Sequence, residues 1–116
     1  MINWIQVIWG MLMGVILHSM TFLQLQGPLR WGNWNRYYWL LVLLGLPISW
    51  GWMNYTKLMS TAFGGQMWPQ RLIGFGLGAS IFAIGSWLIF KEPLTIKTIV
   101  CLSLALLIVL IQIFWK

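Results

Sequence analysis

Residues 68–94 read WPQRLIGFGLGASIFAIGSWLIFKEPL and set the character of the whole chain. Residues 72–90 carry no charged side chain, and the segment closes at Lys91-Glu92-Pro93. Small side chains at many positions let helix backbones approach closely inside a membrane. We therefore predict a membrane-spanning helix whose glycines serve helix packing, with Gly76 and Gly78 as an alternative bending point of the kind found in transporters. These glycines are Gly74, Gly76, Gly78 and Gly85.

The composition is that of a membrane protein. Of the 116 residues, 60% are hydrophobic and only 7% are charged, and the mean hydropathy is +0.83. A soluble domain carries about 25% charged residues, so this chain has too few to cover a water-facing surface. A bilayer is crossed by about 20 apolar residues, and such runs lie at about 2–25, 38–55, 70–90 and 95–115. The first run is predicted to stop at Gly27-Pro28, and loops are predicted over 28–37 and 56–67. The sequence predicts an all-α fold, a single domain over 1–116 built as a bundle of four transmembrane helices.

The chain has seven Lys or Arg residues and one acid, Glu92, for a net charge of +6. The basic residues stand singly at the ends of apolar runs, which favours contact with anionic lipid headgroups over nucleic-acid binding. We expect an integral protein of a bacterial inner (plasma) membrane that forms a homo- or heterodimer, because four short helices enclose little space. Its orientation stays open between two alternatives, because the basic residues divide almost evenly between the two sides. Either the side with residues 28–37 and 91–97 is cytoplasmic, or the protein inserts both ways round. With four spans, one side has Lys57, Arg71 and Lys116, and the other has Arg30, Arg36, Lys91 and Lys97.

The first two spans hold the residues of a candidate solute-binding site. Gly14, His18 and Thr21 fall on one helical face, because their offsets are four and three. Asn54 and Tyr55 end the second span and are candidates to face an opening, and the alternative is that their position at the membrane interface alone accounts for them. An ionisable side chain deep in a span is costly and is a functional candidate by default, which singles out His18. The alternative is a neutral histidine that hydrogen-bonds a neighbouring helix.

Catalysis is not expected from this set of residues. The chain has one His, one Cys, one Glu and no Asp, so paired-carboxylate chemistry and a charge-oriented histidine triad are not available. A metal site would need three or four clustered ligands. We predict a protein that is not an enzyme and uses no cofactor or metal.

The hairpin between the third and fourth spans resembles the drug/metabolite transporter superfamily, and in particular its four-span members, the small multidrug resistance family and a related uncharacterised family. The residues that carry this resemblance are Gly76-Leu77-Gly78, Ser86-Trp87, Phe90 and Glu92-Pro93-Leu94. The resemblance implies a small dimeric transporter of four spans. Members of the small multidrug resistance family have a buried glutamate in the first span that binds the proton and the cationic substrate. Val15 occupies that position here.

Because a buried cation needs a negative partner, the resemblance favours transport of a small neutral or anionic solute, or a role as one half of a heteromeric transporter. The alternative is a non-transporting membrane protein, either an assembly or accessory subunit or a phage holin-like protein. A transporter should have a polar-lined cavity around His18 and the glycines of the third span. An accessory subunit should have that face fully packed against protein.

Overall fold

A computed structural model describes residues 2–115 of the chain, and all regular structure in that range is helical. The elements are α1 (Trp4–Arg30), a 3-10 helix (Gly32–Tyr37), α2 (Tyr38–Ala62), α3 (Trp68–Ile89) and α4 (Ile96–Phe114). The predicted all-α fold is confirmed. Three helices, α1, α3 and α4, are long and apolar enough to cross a membrane, whereas α2 is long enough but less apolar. The molecule is therefore a helical membrane protein with three clear candidate spans among its four helices.

Helices α1 and α2 form an antiparallel pair that stays in contact along most of its length. At one end the Asn3 backbone N–H donates to the Ala62 carbonyl at 2.9 Å. At the other end the Gln24 side-chain amide donates to the Leu41 carbonyl at 2.8 Å. Glycines allow the close approach between these two points. In order along α1, the pairs are Gly10 with Met59, Gly14 with Tyr55, and Leu17 with Gly51.

Helix α3 lies on the other side of α1 and carries α4 on its own outer side. Gly78 of α3 packs against His18, and Gly85 packs against Phe22, so α3 runs parallel to α1. Gly76 faces the opposite way and packs against Val109 of α4. The order across the layer is α2, α1, α3 and α4. The Cα framework measures 48 × 36 × 18 Å, which describes a flattened slab.

The buried core is concentrated at one end of this slab. That end holds the N-terminal parts of α1 and α3 and the C-terminal parts of α2 and α4. Met59, Ala62 and Ile73 have no exposed surface there. The other members of the cluster are Val7, Leu17, Tyr55, Phe63, Val109 and Ile113.

Two predicted loop boundaries are wrong. Helix α1 does not stop at Gly27-Pro28 but continues to Arg30, because Trp34 folds back onto Gly27 and supports the last turn. Residues 28–37, predicted as a loop, form the end of α1 and the 3-10 helix. A loop was also predicted over 56–67, but α2 continues to Ala62.

Burial explains the longer second helix. Met59 and Ala62 belong to the core, so the helix that places them there is stabilised by the surface they bury. The helix ends at Ala62, and the turn that follows contains Gly64 and Gly65, whose φ angles of 70° and 89° are readily adopted only by glycine. The connection from α2 to α3 is therefore short.

The turn between α3 and α4 is stabilised by caps at both helix ends. Lys91 adopts a left-handed conformation with φ of 54°, and the Glu92 N–H donates to the Ser86 carbonyl at 3.2 Å. Left-handed residues of this kind commonly end helices. Thr95 caps α4 by accepting a hydrogen bond from the Thr98 N–H at 3.2 Å. The two helices are thereby held as a hairpin.

Candidate functional site

A cavity of about 400 Å³ lies where α1, α2 and α3 meet. Its walls combine aromatic rings with hydroxyl, amide, imidazole and guanidinium groups. Helix α1 contributes one residue, α2 contributes three, and α3 contributes four. The lining residues are His18, Trp52, Tyr55, Thr56, Gln70, Arg71, Gly74 and Phe75.

Tyr55 forms the floor of the site between two glycines. A β-carbon at Gly14 would lie 3.1 Å from Cε2 of Tyr55, and one at Gly74 would lie 3.3 Å from its hydroxyl oxygen. The hydroxyl donates to the Gln70 carbonyl at 3.1 Å, and the side chain is only 2% exposed. Tyr55 therefore links α2 to the first turns of α3 and holds a fixed position.

His18 packs against Gly78 and Trp52. A β-carbon at Gly78 would lie 2.7 Å from Cε1 of the imidazole, so the absent side chain leaves space for the ring. The Trp52 ring meets the imidazole edge to face, with centroids 4.6 Å apart. Nε2 of His18 is buried and has no hydrogen-bond partner among residues 2–115. Because buried polar atoms are nearly always paired, the unpaired nitrogen keeps His18 a candidate for ligand binding, although the atom itself is covered in this structure.

The structure brings together some of the predicted site residues and separates others. His18 and Tyr55 line the cavity, and Gly14 lies directly behind Tyr55. Thr21 lies one turn further along α1, where its hydroxyl oxygen is buried without a partner among the described residues. The Asn54 side chain donates to the Trp50 carbonyl of its own helix at 2.9 Å, and Asn54 is not among the lining residues.

The four predicted glycines of α3 also take different places. Gly74 lines the cavity, and Gly78 supports the His18 ring. Gly85 packs under Phe22 of α1, where an added β-carbon would lie 2.8 Å from the ring. Gly76 instead faces α4, and an added β-carbon there would lie 2.9 Å from the Ala105 carbonyl oxygen. All four therefore lie at close contacts with neighbouring helices.

Several lining residues were missed by the site predicted from the sequence. Two of them, Trp52 and Thr56, are four residues apart and share one face of α2 with Tyr55, which was predicted. That spacing was a usable signal once α2 was known to continue through residue 56. Arg71 and Phe75 of α3 gave no comparable signal, because only the packing of α3 against α1 shows which side of the helix borders the cavity.

Arg71 is the one charged residue that lines the cavity. The single acidic side chain of the chain, Glu92, follows the opposite end of α3. Since a helix rises about 1.5 Å per residue, residues 71 and 89 are about 27 Å apart along the axis. The cavity therefore has one positive charge and no nearby acidic side chain of this chain to neutralise it.

A second and more apolar groove of about 610 Å³ lies between α3 and α4. Glu92 and Cys101 are among its lining residues. Val15, the position of the family glutamate in the resemblance, is exposed on α1 and lines neither cavity. Among residues 2–115, no three His, Cys, Asp or Glu side chains lie close enough to hold a metal ion.

Comparison with known protein families, with curated proteins and with solved structures finds no match. The resemblance to small multidrug resistance transporters therefore stays a prediction from the hairpin residues.

Proposed function

We propose that this protein is a small transporter-like membrane protein without enzymatic activity, and that it binds a neutral or anionic solute in the cavity beside His18. The observation that carries the proposal is the cavity itself, because its polar groups come from three different helices. Binding sites of this kind are concave, mostly apolar and equipped with a few polar groups that orient the ligand. We further propose that it acts as a dimer in a bacterial inner membrane.

Four membrane crossings are part of this proposal. Helix α2 is less apolar than the other helices, but it pairs with α1 from Asn3–Ala62 to Gln24–Leu41. Its 25 residues extend about 37 Å, which exceeds the roughly 30 Å of a hydrocarbon core. A helix that lies antiparallel along a membrane span over this length crosses with it. Its aromatic side chains suit membrane interfaces.

The packing of α3 favours a competing function. Gly78 and Gly85 are covered by His18 and Phe22, which is the arrangement expected of an accessory or assembly subunit. The two functions differ at Gly74, which still borders open space. A subunit that only packs has no use for that space, whereas a solute-binding protein requires it.

A thermal-shift screen of purified protein against cationic, anionic and neutral solutes tests the proposal. We expect stabilisation by neutral or anionic compounds, followed by uptake of the same compounds into proteoliposomes. His18→Leu should abolish uptake and leave the helical content unchanged, because it removes a polar atom from the cavity wall. Val15→Leu on the exposed side of α1 is the matched control and should transport normally. Normal uptake by His18→Leu would refute the site, and no stabilisation by any solute would favour the accessory subunit.

A further inference from the structure

We infer that the His18 cavity selects solutes that carry an oxyanion on an apolar or aromatic body, with Arg71 as the residue that recognises the charge. This inference rests on the proposed function and narrows its solute from neutral or anionic to anionic. The relevant ligands are small carboxylates and small phosphate monoesters. In this cavity Arg71 recognises the charge of the solute, and the aromatic side chains contact its apolar body.

The hydrogen-bonding groups of the cavity favour an acceptor-rich ligand. Arg71 supplies only donors, in a planar fork that matches a carboxylate. The Tyr55 hydroxyl donates its proton to the Gln70 carbonyl, so Tyr55 offers the ligand no donor. Thr56 and the Gln70 side-chain amide can each donate to an oxyanion and can also accept. No lining residue is acidic, so the cavity offers no counter-charge to a cation.

The charge of Arg71 is not offset by an acidic side chain within the chain. Glu92 follows the far end of α3, about 27 Å away along the helix axis. Arg71 itself lies in the first turn of α3 and is exposed. It can therefore meet an anion that enters from the membrane surface. Charge-assisted bidentate hydrogen bonds between arginine and an oxyanion are among the stronger polar contacts in proteins.

The remaining wall suits the apolar body of such a solute. Trp52 and Phe75 contribute aromatic surface, and the Trp52 ring is held edge to face against Tyr55 with centroids 5.3 Å apart. Because Tyr55 is only 2% exposed, the accessible part of this wall, here called the aromatic corner, is formed by Trp52 and Phe75. With a volume of about 400 Å³, the cavity is at the small end of the usual range for ligand sites.

Arg71 would also suit the phosphate of a lipid headgroup, because the same oxyanion chemistry is present at the membrane surface. The two sources differ in what fills the aromatic corner. A free solute carries its own apolar body into the cavity, whereas a headgroup leaves the corner empty. Binding of a soluble anion in a bilayer without anionic lipid therefore separates the two.

Three probes with the same phenyl body and different charge test the inference: phenylacetate, phenylacetamide and 2-phenylethylamine. Binding is measured by calorimetry on the full chain in phosphatidylcholine nanodiscs. We expect phenylacetate to bind at least about tenfold more tightly than phenylacetamide, and 2-phenylethylamine to bind least. Arg71→Gln should weaken phenylacetate about tenfold and leave phenylacetamide unchanged. Arg71→Lys should keep part of the anion preference, because it keeps the charge and loses the fork.

Arg36→Gln is the matched control, because Arg36 is exposed on the 3-10 helix and does not line the cavity. Equal binding of all three probes would overturn the inference and leave the proposed solute site in place. Absence of binding by all three would overturn the inference too, and the solute screen described above then decides the proposed function separately. If Arg71→Gln reduces only the phosphatidylglycerol that purifies with the protein and leaves phenylacetate binding intact, Arg71 is a headgroup ligand and the inference is wrong.

Discussion

At the scale of single residues, the interior of this molecule is organised by glycines that face aromatic or imidazole rings. Gly14 and Gly74 enclose Tyr55, and Gly78 supports His18. In both places a large ring that carries a polar atom lies where two helix backbones would otherwise touch. The rings thereby fill most of the space between the helices, and both Tyr55 and His18 line the cavity.

The hydrogen bond of Tyr55 should contribute measurably to stability. We expect Tyr55→Phe to lower the free energy of unfolding by about 1 kcal/mol, because the buried Gln70 carbonyl loses its donor at 3.1 Å. Unfolding in SDS, followed by circular dichroism, measures the change. Tyr38→Phe is the control, since Tyr38 is 58% exposed and should show no effect. An equal loss in both variants would mean that the bond to Gln70 adds nothing.

A side chain at Gly78 should separate α1 from α3. We expect Gly78→Leu to cost about 1–3 kcal/mol through overpacking, because even a β-carbon would lie 2.7 Å from the His18 ring. Gly32→Leu is the matched control, since no atom lies within 4 Å of a β-carbon placed there. Thermal unfolding in detergent compares the two variants. A Gly78→Leu protein as stable as Gly32→Leu would show that the contact with His18 can relax freely.

At the scale of helices, the apolar runs of the sequence were enough to predict four helices and the all-α fold. They failed at the ends of α1 and α2, where tertiary contacts extend a helix past its apolar run. Met59 and Ala62 lie beyond the predicted second span, yet they are fully buried. The cavity was missed in part for the same reason, because Thr56 fell in a predicted loop. Which side of a helix meets which neighbour depends on packing that periodicity alone does not encode.

Gly76 should matter more to the α3–α4 hairpin than its small size suggests. A β-carbon there would lie 2.9 Å from the Ala105 carbonyl oxygen, and a backbone atom cannot turn aside as a side chain can. We expect Gly76→Ala to lower the unfolding temperature, with a cost of about 1–3 kcal/mol. Adding Val109→Ala, which removes the other close neighbour, should not restore stability. Full recovery in the double variant would show that Val109 alone causes the strain.

At the scale of the whole molecule, the flattened shape bears on both the proposed solute site and the proposed dimer. The cavity lies between α1, α2 and α3, while α4 stands on the outer side of α3 and does not line it. Large apolar residues of α4 are exposed, among them Ile99, Leu104 and Leu110. These faces are suited to lipid or to a second copy of the chain. The cavity of the proposed solute site is formed within one chain, so we expect that solute binding does not require the proposed dimer.

If α2 crosses the membrane, its two ends lie on opposite sides of the bilayer. If α2 does not cross, both ends lie on the same side. Asn35 precedes α2, Gln66 follows it, and both are exposed. We expect them on opposite sides, because α2 pairs with α1 along nearly its whole length. The test uses the variant Asn35→Cys/Gln66→Cys with Cys101→Ser, which removes the single native thiol.

Sealed vesicles are treated with an impermeant maleimide, then dissolved in detergent and treated with a maleimide of different mass. If α2 crosses the membrane, every chain carries one label of each mass, whichever way round it inserted. If α2 lies on one surface, every chain carries two identical labels. Mass spectrometry of the intact protein distinguishes the two results even in a population with both orientations. Identical labels would mean that the molecule has three spans. The end of α2 that supplies Trp52, Tyr55 and Thr56 would then lie outside the membrane. Transport through the His18 cavity would lose its structural basis.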